Sequence, residues 1–312
     1  MYERFYDLRE RPFELTTDPR FLYRTPRHRE ALANLEYGVS QGKPVTLLTG
    51  EPGTGKSTLL RAAMHSDACR HVRWVHVANP ALTRDEFVTL LAGEFHLSDR
   101  AASSKGALLN ELRRTLVERR AAGEAFALVI DEAQAMSVSL LEEVRLLGNL
   151  ENEKEKLLPI VLTGQPEFVA LLAQPALAPL RQRIALRCTV GPFEVAETAS
   201  YIASRLRTAG GDASRVFTRD AVILIHDLSK GIARTINVVC DNALITGFAL
   251  GRRPVDSAAV MEVAVDHHLE LPPPEPEPIL EETSAPAVVG RTSSFARLWR
   301  RGAARQGLGL RA

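Results

Sequence analysis

Short apolar runs recur along the first two thirds of the chain, each closed by a turn, with amphipathic stretches between them. Val45-Thr46-Leu47-Leu48-Thr49 is β-rich and ends in a glycine loop, and 74–78, 126–130, 158–162 and 184–190 read as four further strands. Unbroken apolar runs such as Phe126-Ala127-Leu128-Val129-Ile130 suit a parallel sheet covered on both faces. Apolar positions three and four apart (Ala31, Leu32, Leu35, Val39) predict a helix over 28–41. Helices are likewise predicted over 57–65, 83–95, 105–120 and 137–150. Thr83 with Glu86 three residues later forms a capping-box pattern, and Gln165-Pro166 marks a turn and another helix start. Strands alternating with helices predict a doubly wound α/β layer sandwich over 29–192.

After Pro192 the pattern changes. Residues 194–209, 218–229, 232–247 and 255–269 all read as helices with no strand between them, so 193–270 is expected to be a separate all-helical domain. Residues 1–28 mix aromatics with prolines (Phe5, Phe13, Phe21, Pro12, Pro19, Pro26) and read as an ordered arm rather than a helix. From Leu271 the chain becomes Pro-Pro-Pro-Glu-Pro-Glu-Pro, a stiff solvated linker. The last 22 residues hold Arg291, Arg297, Arg300, Arg301, Arg305 and Arg311 and no acid. Residues 271–312 are therefore expected to be a disordered linker and basic tail.

Composition narrows the function classes. The 312 residues leave room for two domains. With 39 Lys and Arg against 38 Asp and Glu, the net charge of +1 provides no global field for nucleic acid or an anionic membrane, although a local patch can act. No apolar run reaches the roughly 18 residues of a membrane span. Met1-Tyr2-Glu3-Arg4 is no secretory signal. Cys69, Cys188 and Cys240 are few and far apart, which fits packing residues in a reducing cytoplasm. His267-His268 lacks a ligand partner at helical spacing.

The candidate chemistry starts where the first strand ends. Gly50-Glu51-Pro52-Gly53-Thr54-Gly55-Lys56-Ser57 matches G-x-x-x-x-G-K-[ST], with Thr58 next in the predicted helix. Gly53 and Gly55 let the backbone N–H groups curl toward phosphate oxygens, and the helix adds its positive end. Lys56 is placed for the β and γ phosphates and Ser57 for Mg²⁺. About 80 residues on, strand 126–130 ends in Asp131-Glu132. Asp131 is placed for the metal shell and Glu132 for polarising the attacking water. Alone, two acids after a strand equally fit a solvated strand end; the upstream loop favours chemistry.

Three further polar groups extend this set. In Leu162-Thr163-Gly164-Gln165, Thr163 is the first choice and Gln165 the second for sensing the γ phosphate, against a plain strand-end turn. Arg183, with Arg181 as alternate, stands where an arginine can reach a neighbouring subunit's γ phosphate, against a plain surface arginine. Arg234 opens a helix of the second domain and can reach back to the phosphates, or bind nothing. Phe13, Phe21 and Leu22 of the arm are candidates to pack on adenine, or equally to serve an interface or core.

At these residues the sequence resembles the AAA+ ATPases, and more narrowly the ExeA-like group known as general secretion pathway protein A. The run from Phe5-Tyr6-Asp7-Leu8 to Asp18-Pro19-Arg20-Phe21-Leu22-Tyr23 is similar to that group's N-terminal signature, continued by His28-Arg29-Glu30-Ala31-Leu32. Leu162 to Glu167 and the Gly231 to Asn237 helix start match as well. The resemblance implies a parallel sheet of order 5-1-4-3-2, a helical lid, and ATP with Mg²⁺ at the interface of a homo-oligomer. It implies Lys56, Ser57, Asp131 and Glu132 as phosphate, metal and water groups, Arg183 as the finger and Arg234 as the lid sensor. The chain is expected to be a short form, without the membrane helix and peptidoglycan-binding domain of secretion members.

The function expected is ATP hydrolysis that assembles or remodels a bacterial envelope or secretion system, of the type II secretion, pilus or exopolysaccharide kind, with proteins of that system as partners. The alternatives are a DNA-associated ATPase that selects transposition targets, and a nucleotide-gated scaffold with little hydrolysis. Phe295, Leu298 and Trp299 among the tail arginines suggest docking on an anionic membrane surface, or else a solvated end. The expected location is the cytoplasm, with the periphery of the inner membrane as the alternative.

Overall fold

Five short strands carry the apolar runs: β1 (Val45–Gly50), β2 (Val72–Val77), β3 (Ala125–Ile130), β4 (Ile160–Gly164) and β5 (Ile184–Val190). The structure, a computed structural model, describes residues 1–15, 18–153 and 155–269, all within one compact unit. The strands pair in parallel in the order β2-β3-β4-β1-β5, which is the expected 5-1-4-3-2 sheet read from its other edge. β1 lies inside the sheet and is buried at every position, whereas the edge strand β2 buries Val72, Val75 and Val77 and leaves Arg73 and His76 exposed. Register aligns the strand ends. Ile130 pairs with Leu162, and Thr49 pairs with Gly164, so the carboxyl ends of β1, β3 and β4 stand side by side.

The helices are α1 (Pro26–Ser40), α2 (Lys56–Met64), α3 (Arg84–Glu94), α4 (Lys105–Ala121), α5 (Val138–Leu147) and α6 (Pro166–Leu172). Local chemistry sets their ends. Thr83 and Glu86 form the full capping box of α3, and Ser137 caps α5 through Leu140 N–H. α1 begins two residues before the apolar spacing indicates, because Thr25 accepts from His28 N–H and proline is tolerated in a first turn. Alternation across the sheet divides the core. Leu47, Leu128 and Ile160 face a cluster with Phe87, Leu112, Leu141 and Phe168, while Leu48, Val129 and Val161 face Leu35, Leu59 and Leu60. Cys69, Cys188 and Cys240 are buried free thiols.

A third apolar cluster is built by α7 (Val195–Thr208), α8 (Arg219–Ser229), α9 (Ala233–Ala249) and α10 (Ser257–Asp266), the C-terminal helical region. The N-terminal residues belong to it. Tyr2, Tyr6, Leu8 and Phe13 are buried there, Arg9 N–H donates to Ala209 O at 2.8 Å, and the Phe13 and Phe217 rings meet edge-on at 6.2 Å. The arm departs from the sequence expectation in one respect. Tyr2–Phe5 forms a single α-helical turn and Pro19–Phe21 a 3-10 turn. Such pieces, like the short helices Asp99–Ser103, Ala178–Arg181 and Ala213–Val216, are too brief for a 3.6-residue period to register.

The helical region joins the sheet at a tight crossing. Phe193 N–H donates to Gly231 O at 2.8 Å, and Gly231 has φ +73°, where a Cβ would collide with the Phe193 carbonyl. Among the described residues no helix is long and apolar enough to cross a membrane. The linker and basic tail, with Phe295, Leu298 and Trp299, lie outside the described residues, as do Thr16 and Thr17 of the N-terminal signature.

Candidate active site

The loop after β1 turns directly into α2, whose first residue is Lys56. Gly53 and Gly55 take φ +81° and +102°, conformations that let the loop wrap a concave surface. Thr54 Oγ1 donates to Glu51 O at 2.8 Å and closes the turn. Lys56 is 5% exposed, and its Nζ donates to Gly50 O at 2.8 Å and Glu51 O at 3.1 Å. Burial pulls its pKa below the usual lysine range, opposed by the negative charges of Glu132 and Asp131. Among the described residues no carboxylate pairs with it directly. A buried ammonium held only by carbonyls, at a helix N-terminus, is a site that favours an anion.

The paired acids stand across the sheet. Thr163 Oγ1 donates to Asp131 Oδ1, and Glu132 N–H donates to the same oxygen at 3.0 Å. Glu132 has φ +51°, an uncommon conformation for a side chain of this kind. Its Oε2 accepts from Gln134 Nε2 and from Gln165 Nε2, the latter at 3.0 Å. Gln165 N–H in turn donates to Gln134 Oε1 at 3.2 Å, so the two glutamines brace one another. Burial alone would raise the Glu132 pKa; the Gln134 and Gln165 hydrogen bonds and the Lys56 charge outweigh it and hold the carboxyl below its ordinary 4.5.

The helical region closes the other side. Arg234 N–H donates to Gly53 O at 3.1 Å, and a Cβ on Gly53 would stand 2.8 Å from Arg234 Cβ. The resulting cleft is lined by Pro52 to Thr58, Glu132 and Arg234, and by Phe21 and Leu22 of the arm. His28 forms part of its wall: buried, it contacts Thr54 O at 3.3 Å through Nε2 and Thr25 Oγ1 at 2.8 Å through Nδ1. Burial lowers the His28 pKa below 6.5, against the Thr54 carbonyl and the Glu197 charge, which raise it.

The residues proposed from sequence are thus placed unequally. Gly53 to Thr58, Glu132 and Arg234 surround one cleft, with Asp131 and Thr163 hydrogen-bonded to one another behind it. Gln165 reaches Glu132 rather than Asp131. Phe21 and Leu22 line the cleft, whereas Phe13 is core packing on Phe217. Arg181 is committed elsewhere, donating to Leu172 O at 3.0 Å and Ala173 O at 3.1 Å at the end of α6. Arg183 is half-buried and lies outside the cleft. Sequence reasoning missed Gln134, Phe193, Tyr201, Arg205 and the roles of His28 and Asn237. Gln134 sits on a 3-10 turn without periodicity, and the others reach the cleft through contacts between segments distant in sequence, such as His28 with Thr54, Tyr201 with Asn237 and Arg205 with Pro12.

Comparison with known proteins agrees with this geometry. Residues 39–172 match the AAA domain family. The chain is 40% identical over 256 residues to General secretion pathway protein A of Aeromonas hydrophila, covering 82% of this chain and 46% of that protein. It therefore spans about half the length of that relative. The Aeropyrum pernix ORC2 protein, in ADPNP-ADP complexes, has a similar fold at TM-score 0.60 and 16% identity, over 82% of this chain and 71% of that one. Cdc6p from Pyrobaculum aerophilum is similar at TM-score 0.58 and 19% identity, over 78% and 67%. Loop, acid pair, sheet order and relatives agree: residues 39–172 form an AAA domain, and the chain is a relative of General secretion pathway protein A.

Proposed function

We propose that this protein binds ATP with Mg²⁺ in the cleft between sheet and helices and hydrolyses it to drive assembly or remodelling of a bacterial envelope or secretion system. The observation that carries the reading is the buried Lys56 ammonium, held by loop carbonyls at the start of α2 and facing the Asp131-Glu132 pair. The donor set fits the ligands: loop N–H groups and a cation for phosphate, and a hydroxyl with a hard carboxylate for magnesium.

Bound Mg²⁺ would supply charge that neutralises the phosphate oxygens. The residues do the rest. Lys56 exchanges its carbonyl contacts for phosphate oxygens, and Gly50 to Thr58 present their backbone N–H groups. Ser57 and Asp131 would hold the metal. Thr163 fixes the Asp131 carboxylate and is placed to register what happens beside it. Glu132, kept ionised by its two glutamines, accepts a proton from the attacking water. Arg234 ties the helical region to the loop, so nucleotide state and helix position are linked. Arg183, free of the contacts that commit Arg181, is the better finger for a neighbouring protomer in a homo-oligomer.

The pathway reading rests on the relationship to General secretion pathway protein A. The test is ATP turnover and binding by the full chain. Glu132→Gln should lower turnover at least about 100-fold while ATP still binds. Lys56→Ala should weaken ATP binding by roughly 10- to 100-fold, the loss of charge-assisted hydrogen bonds. Unchanged turnover in Glu132→Gln would leave a nucleotide-gated scaffold instead. Crosslinked capture with the Glu132→Gln protein, held with ATP, should recover envelope or secretion proteins.

A further inference from the structure

One hydrogen-bonded chain runs from the N-terminal arm to the cleft and is separate from the phosphate, metal and water groups. Arg205 on α7 is 6% exposed. Its guanidinium donates to Pro12 O and to Glu14 O at 3.1 Å, and lies 4.8 Å over the Phe21 ring. Its Nη1 donates to Tyr201 Oη at 2.9 Å, and Tyr201 Oη lies 2.9 Å from Asn237 Oδ1.

The direction of this chain follows from which groups can donate and which must be satisfied. A guanidinium only donates. The Tyr201 oxygen therefore accepts from Arg205, and its single proton goes to Asn237, which must present its oxygen. Turned round, the Asn237 amide would offer a second donor to the Tyr201 oxygen and leave the buried Tyr201 proton without an acceptor, a costly arrangement. Its NH₂ group consequently points away from Tyr201. Asn237 is 7% exposed and lines the cleft. Among the described residues its Nδ2 has no protein partner, and it is not among the sealed unpartnered atoms. The small exposed part of this side chain thus includes a donor that opens on the cleft.

We propose that Asn237 is a further ligand-contacting residue, whose amide N–H, oriented by Arg205 through Tyr201, donates to an acceptor on the nucleoside part of the bound nucleotide. Asn237 follows Arg234 by three residues on α9, so the two share a face about one turn apart. Arg234 is the one joined to the phosphate loop, through Gly53. Asn237 stands beside Tyr201, which packs on Phe193 and Tyr23, and these rings all line the cleft. A polarised donor among aromatic walls suits a ring nitrogen or a sugar oxygen, whereas the loop and Lys56 already serve the phosphates. The same chain would make nucleotide affinity depend on the arm, because Arg205 is held in place by the carbonyls of Pro12 and Glu14.

This inference rests on the cleft being the nucleotide site, and the experiment separates the two. Calorimetric titration of the full chain with ATP, and with inorganic tripolyphosphate, both with Mg²⁺, would be run on wild type, Lys56→Ala and Asn237→Ala. If wild type binds neither ligand, or binds ATP no better than Lys56→Ala does, the nucleotide reading itself falls. Otherwise Asn237→Ala should weaken ATP about tenfold, the value of one hydrogen bond, and leave tripolyphosphate within twofold. Asn237→Asp keeps the size and the acceptor for Tyr201 but removes the donor, so it retains the fold. It should weaken ATP at least tenfold with a melting temperature near wild type. ATP affinity within twofold of wild type in Asn237→Asp, or equal loss of ATP and tripolyphosphate in Asn237→Ala, overturns the assignment.

Discussion

At the scale of single residues, the site is a balance of burial against charge. Lys56 and Glu132 are pushed by burial toward their neutral forms, and each is returned toward ionisation by its neighbours. For Glu132 the balance falls on the ionised side, so its folded pKa lies below 4.5. A depressed carboxyl contributes stability that is present above pH 4.5 and lost as pH falls through the folded value. In its proposed role it also stays a competent base throughout that upper range. The acid limb of the kcat profile that reports Glu132 should therefore lie below pH 4.5. Replacing both Gln134 and Gln165 by alanine leaves burial less opposed, and the limb should move to higher pH. A limb that stays in place would show that the glutamines do not set the ionisation of Glu132. The sequence displayed Glu132 and, as a second choice, Gln165; Gln134 was hidden because a 3-10 turn puts no recognisable pattern on its residues.

At the scale of elements, function depends on where helices and strands stop. Ile130 and Leu162 share a register pair, and the residues just beyond them, Asp131 and Thr163, therefore meet. The glycine loop is held from outside by His28 at the start of α1 and by Arg234 at the start of α9. The Gly231 helix start was legible and the first helix was expected from His28, two residues late, but not the fact that each touches the same loop. Gly231 shows the cost of that junction. Its φ of +73° and the facing Phe193 carbonyl leave no room for a side chain. Gly231→Ala should destabilise the protein by about 2 kcal/mol or more, and by calorimetry its melting point should fall by several degrees. Because Phe193 and Arg234 flank the same crossing, nucleotide affinity should fall as well. A variant with an unchanged melting point would mean that the crossing is not rigid.

At the scale of the whole molecule, the N-terminal arm is part of the C-terminal helical core, more than 190 residues away in sequence. Tyr2, Tyr6, Leu8 and Phe13 fill gaps between helices, and Arg205 fastens the arm beside the cleft. This arrangement explains why the arm is aromatic and proline-rich without a period: it is packed as a strap, residue by residue. It also leaves Arg183 on the outside of its own cleft, where its proposed work concerns a second copy. Mixing Lys56→Ala and Arg183→Ala proteins should therefore restore part of the ATPase activity that neither has alone, since one interface can combine an intact loop with an intact arginine. Absence of any recovery, with both variants folded and co-assembling, would place the arginine in its own subunit's chemistry or outside catalysis.

The parallel sheet, the phosphate-binding loop and the acid pair are written in the order of residues, because each depends on neighbours along the chain: an apolar run, a glycine spacing, a strand with acids at its end. Which polar groups come near them is decided by folding. Committing Arg181 to the end of α6, joining Gln165 to Glu132, and linking Asn237 through Tyr201 and Arg205 to the arm all depend on contacts that no local pattern announces. Hydrogen-bond direction and burial arise from those contacts, and no local pattern of residues encodes them.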